Sequence, residues 1–161
     1  MQFRKKIKQY QREKRTIVYI DESGFAQDMP RTHGYSLKGE RCHGTQDWHA
    51  RGRTNVIGAL IEKKLLTAHL FTCNINSDVF HAWITQGLIP QLPPNSVIVL
   101  DNATFHKRMD AEQALSDAGH TLLFLPPYSP DLNPIEQKWA QLKAIRKQLR
   151  CSVLSLFKHV L

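Results

Sequence analysis

The chain has 161 residues, 42% of them hydrophobic and 22% charged, which excludes a disordered or collagen-like polymer and suits one domain with its own core. A net charge of +8 and a pI near 9.6 favour a polyanionic partner, most simply nucleic acid. No apolar run reaches membrane-spanning length, and the basic start lacks the apolar stretch of a signal peptide, so the expectation is a cytoplasmic protein with no membrane partner.

The first fifteen residues form a basic segment with Arg4, Lys5, Lys6, Lys8, Arg12, Lys14 and Arg15. "TIVYID", Thr16 to Asp21, is rich in β-branched residues and predicts a strand stopped by "ESG". Residues 26 to 53 are polar, with glycines as turn signals. "TNVIGALI" and "LLTAHLF" predict two strands joined by a short polar turn, giving three antiparallel strands in a row. Asn76 or Ser77 then caps a helix with Phe80, Trp83, Ile84 and Leu88 at helical spacing, ended by Pro90, Pro93 and Pro94. "SVIVLD", Ser96 to Asp101, reads as a strand buried on both faces. A helix over 107–118 stops at Gly119, and "TLLFL", Thr121 to Leu125, is a second buried strand. A proline-rich loop leads into a last helix with Ile135, Trp139, Leu142, Ile145 and Leu149 on one face. The order β, β, β, α, β, α, β, α predicts an α/β fold. It is a mixed five-stranded sheet, three antiparallel strands then parallel ones, flanked by helices.

Three cysteines, Cys42, Cys73 and Cys151, argue against a disulfide framework and for a reducing compartment. Cys42, His43, His33 and His49 do not have zinc-finger spacing.

Two strands end in aspartate, at Asp21 and Asp101. Ligands gather beyond the carboxyl ends of parallel strands. On neighbouring strands the two carboxylates would lie about 5 Å apart, and at such spacing repulsion is roughly 3–4 kcal/mol at an effective dielectric near 20. A cation relieves it, and hard carboxylate oxygens select magnesium or manganese. Glu136, on the first turn of a helix behind a rigid loop, is positioned to supply a third oxygen ligand. Each residue also suits a plainer role. A strand-closing aspartate serves as a turn residue, and Glu136 falls three positions after an Asn133 cap, with Pro134 at the first helical position. Strand alternation sends Glu22 to the opposite face from Asp21.

"IDESGF", "VLDNATFH" and "LPPYSPDLNPIEQKW" resemble the signature blocks of DDE transposases, specifically the bacterial insertion-sequence 630 family and its mariner-type relatives. "HGYSLKGERC" and "RTNVIGAL" resemble that family's middle blocks, and 34 residues lie between Asp101 and Glu136, as in that family. The resemblance covers residues 15 to 150 or so. It implies a ribonuclease H-like fold over 16–161, a catalytic triad of Asp21, Asp101 and Glu136, and two Mg2+ or Mn2+ ions held by those carboxylates. The implied reaction is metal-dependent cleavage at transposon ends followed by strand transfer into target DNA, with TA as the target of relatives. It also implies a homodimer acting at the bacterial nucleoid.

Asn102 and His106, in "DNATFH", are candidate contacts to a phosphate or to water at the metals, although a turn and a helix start explain them equally. Lys138, Lys143 and Lys147 are expected on the helical side of Glu136, where they would hold DNA phosphates; solvated lysines are the plainer reading. Trp48 and Tyr128 suit base stacking or ordinary packing. Relatives carry an N-terminal helix-turn-helix region that reads the element's ends, and fifteen polar residues do not make one. It is expected from a separately encoded or frameshift-joined part. Two other readings stand beside the transposase: a general nuclease of the same fold, and an inactive DNA-binding remnant that modulates a full-length relative.

Overall fold

Five segments rich in β-branched and aliphatic residues pair into one mixed sheet in the computed structural model, which describes residues 2–26, 53–101 and 109–161. They are β1 (Ile17–Ala26), β2 (Arg53–Ile61), β3 (Lys64–Phe71), β4 (Val97–Leu100) and β5 (Thr121–Phe124), in the order β3-β2-β1-β4-β5. β1, β2 and β3 are antiparallel neighbours; β4 runs parallel to both β1 and β5. β1 does not stop at Asp21. It continues to Ala26 because Glu22 to Ala26 pair with Ile57 to Arg53, and that ladder outweighs the turn preference of Ser23 and Gly24.

The helices are α1 (Gln2–Arg12), α2 (Ser77–Ala82), α3 (Met109–Asp117), α4 (Pro134–Leu149) and α5 (Val153–Val160). α2 starts where Asn76 Oδ1 accepts from the Val79 N–H at 2.9 Å, and it continues through a π-helical stretch, Trp83–Leu88, and a tight turn, Ile89–Gln91. Neither α1 nor α5 was expected. In α1, Phe3, Ile7 and Tyr10 recur on one face and pack against Val97, Val99 and Leu123. Arg15 from the same basic run is tied in: its guanidinium donates to the Asn95 carbonyl at 3.0 Å and to Thr121 Oγ1 at 2.7 Å. α4 ends at Arg150 in the left-handed region (φ 53°), which leaves Leu149 58% exposed rather than buried. Ser152 then caps α5, accepting from the Ser155 N–H.

Alternation along the strands sorts the core. Val18, Ile20, Ile98 and Leu100 face α2, its continuation and α3, where Phe80, Ile84 and Leu115 complete one layer. Tyr19, Phe25, Val97 and Val99 face the other way, toward α1, α4 and α5. Cys73 is disulfide-bonded and Cys151 is free, whereas three sparse cysteines had argued against a disulfide framework. Outside the described residues lie Cys42, His33, His43, His49, Trp48, Asn102 and His106. Among the described residues no helix is long and apolar enough to cross a membrane.

Candidate active site

The parallel pairing of β1 with β4 sets Ile17 beside Val97, Val18 beside Ile98 and Tyr19 beside Val99. Carried two residues further, that register sets Asp101 beside Asp21 at the carboxyl edge of the sheet. Asp21 has the parity of Tyr19, so its side chain points to the α4 face.

α4 brings Glu136 to that edge. Its Ile135, Trp139 and Leu142 are buried at i, i+4 and i+7, each burial stabilising by roughly 1.5–3 kcal/mol. Trp139 can pack close against the sheet because its neighbour there is Gly58. A Cβ at that position would sit 2.7 Å from Trp139 Cη2. Gly58 is the cross-strand partner of Asp21. The indole that anchors α4 therefore rests beside Asp21, and Glu136, one turn earlier, is carried to the same end.

Asp21 is only 7% exposed. Its pKa is raised from an ordinary 3.8 to about 7, first by burial and then by the negative charges of Asp101 and Glu136. A backbone hydrogen bond from Glu22 and the Trp139 indole draw it partly back. The indole Nε1 is buried and makes no well-formed hydrogen bond, so its influence on Asp21 is weak.

Asp101 and Glu136 line one cleft of about 270 Å³, together with Asn133 and the loop from Leu125 to Pro130. Asn133 occupies the N-cap position of α4, as its sequence context suggests, yet its side chain makes no capping hydrogen bond. The Glu136 N–H donates instead to the Asn133 backbone carbonyl at 3.0 Å. Asn133 is 3% exposed, and its Oδ1 is buried without a partner. A larger cleft of about 550 Å³ lies between β3, α4 and α5, but no acidic side chain lines it.

This donor set fits a divalent cation. It offers hard oxygens only, includes a carboxylate that burial and then its acidic neighbours push toward protonation, and adds an orphaned amide oxygen. Among the described residues no three acidic, histidine or cysteine side chains are already drawn together on a single point. Glu136 is exposed and its side chain is not pinned by packing.

The basic candidates separate. Lys143 and Lys147 lie seven and eleven residues after Glu136, which is the same side of α4; both are exposed, and Lys143 Nζ sits 5.0 Å above the Phe25 ring. Lys138 is a correction. Two residues from Glu136, it turns to the far side and lines the larger cleft. Gly58 was not expected at this site. It carried no local signal, because its role depends on a ring from another element. Asn133 was read as a cap. Tyr128, expected either to stack on bases or to pack, is fully exposed at the rim of the cleft.

A family model described as DDE superfamily endonuclease matches residues 16–154. Among solved structures, the chain is similar to the Mos1 transposase paired-end complex with left transposon end, with a TM-score of 0.65 and 19% identity over 89% of this chain and 46% of that one. It is similar to the catalytic domain of Mos1 mariner transposase, at 0.58 and 16% over 88% of this chain and 67% of that one. Structures of that catalytic domain with Raltegravir include Mn or Mg. The simian T-cell lymphotropic virus intasome in complex with PP2A regulatory subunit B56 gamma also matches, at 0.57 and 12% over 83% of this chain and 40% of that one. At these identities the likeness establishes the fold alone, which is ribonuclease H-like. The chain spans about half the length of the transposase in the paired-end complex. No curated protein matches the sequence.

Proposed function

Because the chain belongs to the DDE superfamily of endonucleases, we propose that it is a DNA transposase catalytic domain, cutting phosphodiester bonds at transposon ends and joining the freed strand to target DNA. In this reading residues 16–161 are the catalytic unit, and Asp21, Asp101 and Glu136 are its catalytic residues and hold two Mg2+ or Mn2+ ions. One observation carries it: a buried aspartate at the sheet edge feels two further carboxylates, from a parallel neighbour strand and from α4. Folding keeps such mutual repulsion where something else compensates it, and a chain of net charge +8, suited to a polyanionic partner, supplies the context.

When bound, the ions supply Lewis-acid stabilisation of an in-line displacement at phosphorus. The side chains do the rest. Asp21 is held rigidly by β1 and its two neighbour strands. Trp139 packs over Gly58, the strand neighbour of Asp21. Lys143 and Lys147 hold backbone phosphates along α4. In the first reaction a water oxygen bonds to phosphorus as the bond to the 3′ oxygen breaks, leaving a 3′-hydroxyl. In the second, that hydroxyl oxygen bonds to a target phosphorus, and the target's own 3′ oxygen leaves with the proton. The protein partners are a second copy of the chain around paired ends and a helix-turn-helix part that reads those ends. The target is DNA, with TA the preferred step.

The test is plasmid nicking and transfer of a labelled 3′-OH oligonucleotide with Mg2+ or Mn2+. The wild type nicks and transfers, while Asp101→Asn does neither at unchanged circular dichroism. Nicking without transfer identifies a general nuclease, and DNA left intact with both metals identifies a binding remnant.

A further inference from the structure

The loop between β5 and α4 holds one aromatic side chain in solvent. Tyr128 is 101% exposed and its φ is +53°, in the left-handed region that an aromatic residue rarely adopts. The conformation is imposed from both sides. The Leu125 N–H donates to the Leu100 carbonyl at 2.8 Å, fixing the loop's start to the strand that ends at Asp101. Pro126 and Pro127 precede the tyrosine, and the Ser129 hydroxyl donates back to the Pro127 carbonyl at 3.1 Å. The Leu132 N–H donates to the Ser129 carbonyl, closing the loop onto α4. A tyrosine there contributes nothing to the core, and glycine or asparagine would hold the same backbone with less strain.

Tyr128 lines the same cleft as Asp101 and Glu136. Given the reading that this cleft takes a DNA phosphodiester, the groups nearest the rim are the nucleotides flanking that phosphate. A flat ring held rigidly in water matches the face of a base, and base–aromatic stacking is sequence-tolerant. A base inside a duplex already stacks on both faces, so the ring fits one that has left the helix. We infer that Tyr128 stacks on an unpaired DNA base next to the phosphate bound at the Asp101–Glu136 cleft. Tyr128 thereby selects ends that are melted or distorted, and orients the strand across the carboxylates.

The variants Tyr128→Gly and Tyr128→Phe test this in the full chain. Glycine suits the backbone and lacks the ring; phenylalanine keeps the ring and lacks the hydroxyl. Binding is measured by fluorescence anisotropy on a fully paired duplex and on the same duplex with two mismatched base pairs at its centre. A 2-aminopurine among the mismatched bases reports stacking by quenching. The expected result is an affinity loss of about tenfold for Tyr128→Gly on mismatched DNA, with loss of the quench. Paired DNA should change less than twofold, the salt dependence should stay the same because no phosphate contact is removed, and Tyr128→Phe should match the wild type. Equal losses on both DNAs, no loss on either, or a phenylalanine variant as weak as the glycine one overturns the inference. If the wild type nicks DNA with Mg2+ or Mn2+ and Tyr128→Gly still binds mismatched DNA normally, the stacking role alone fails. If the wild type binds neither DNA, the functional reading itself fails.

Discussion

Replacing Asp21 with Asn should stabilise the metal-free protein while abolishing its chemistry. The folded-state pKa of Asp21 is raised to about 7 from 3.8. Below 3.8 both folded and unfolded chains carry the proton, and the raised value contributes its full stabilisation there. Between 3.8 and 7 the unfolded chain has released the proton and the folded one has not, so stability falls as pH rises. Above 7 both are ionised and the loss is complete. At about 1.36 kcal/mol per pKa unit the loss is at most roughly 4 kcal/mol. An amide also pays to be buried, so a gain of about 2–4 kcal/mol for Asp21→Asn at pH 8 is expected. The assay is urea unfolding in EDTA at pH 4, 6 and 8, followed by tryptophan fluorescence. The two proteins should coincide within about 1 kcal/mol at pH 4 and diverge steadily to pH 8. Added Mg2+ should then raise the wild type and leave the variant unchanged, because only the wild type retains the full set of carboxylates. A variant less stable than the wild type at pH 8, or a difference that does not vary with pH, would refute the electrostatic account of this site.

Gly58→Ala places a methyl 2.7 Å from Trp139 Cη2 and should cost about 1–3 kcal/mol in urea unfolding. Nicking should fall further than stability alone explains, since α4 and Glu136 move with the ring. Asn133→Ala should lose less than about 0.5 kcal/mol, against the roughly 1 kcal/mol typical of a lost N-cap, because its side chain caps nothing; a full-sized loss in thermal unfolding refutes this. Arg15→Ala should destabilise by about 1–3 kcal/mol through its bonds to Asn95 and Thr121, with an unchanged salt slope of DNA binding. The pair Lys143→Ala and Lys147→Ala should do the reverse, leaving stability within about 0.5 kcal/mol and reducing the salt slope by about 1–2.

Some of this architecture was already written in local patterns. Buried strands such as "VIVLD" and "TLLFL" declare themselves because a parallel strand covered on both faces is apolar throughout. The helical spacing of Ile135, Trp139 and Leu142 likewise tells which side of α4 is buried. Two strands ending in aspartate, with Glu136 behind a proline loop, already suggest convergence. Other features depend on partners distant in sequence. β1 runs on through Ser23 and Gly24 only because β2 lies alongside. The short amphipathic α1 and α5 form because the sheet offers them an apolar face, and an isolated helix of that length is marginal. Lys138 lies on the other side of α4 from Glu136, because two residues turn a helix by about 200°. The order β3-β2-β1-β4-β5 sets Asp21 beside Asp101, and a missing methyl group at Gly58 lets Trp139 bring Glu136 to them. The amino-acid sequence by itself determined the residue types and their periodicity, and so the elements and the candidate carboxylates. Tertiary structure alone decided which side chains meet and which, like Tyr128, are left facing water, because distance between elements is set by packing and not by order along the chain.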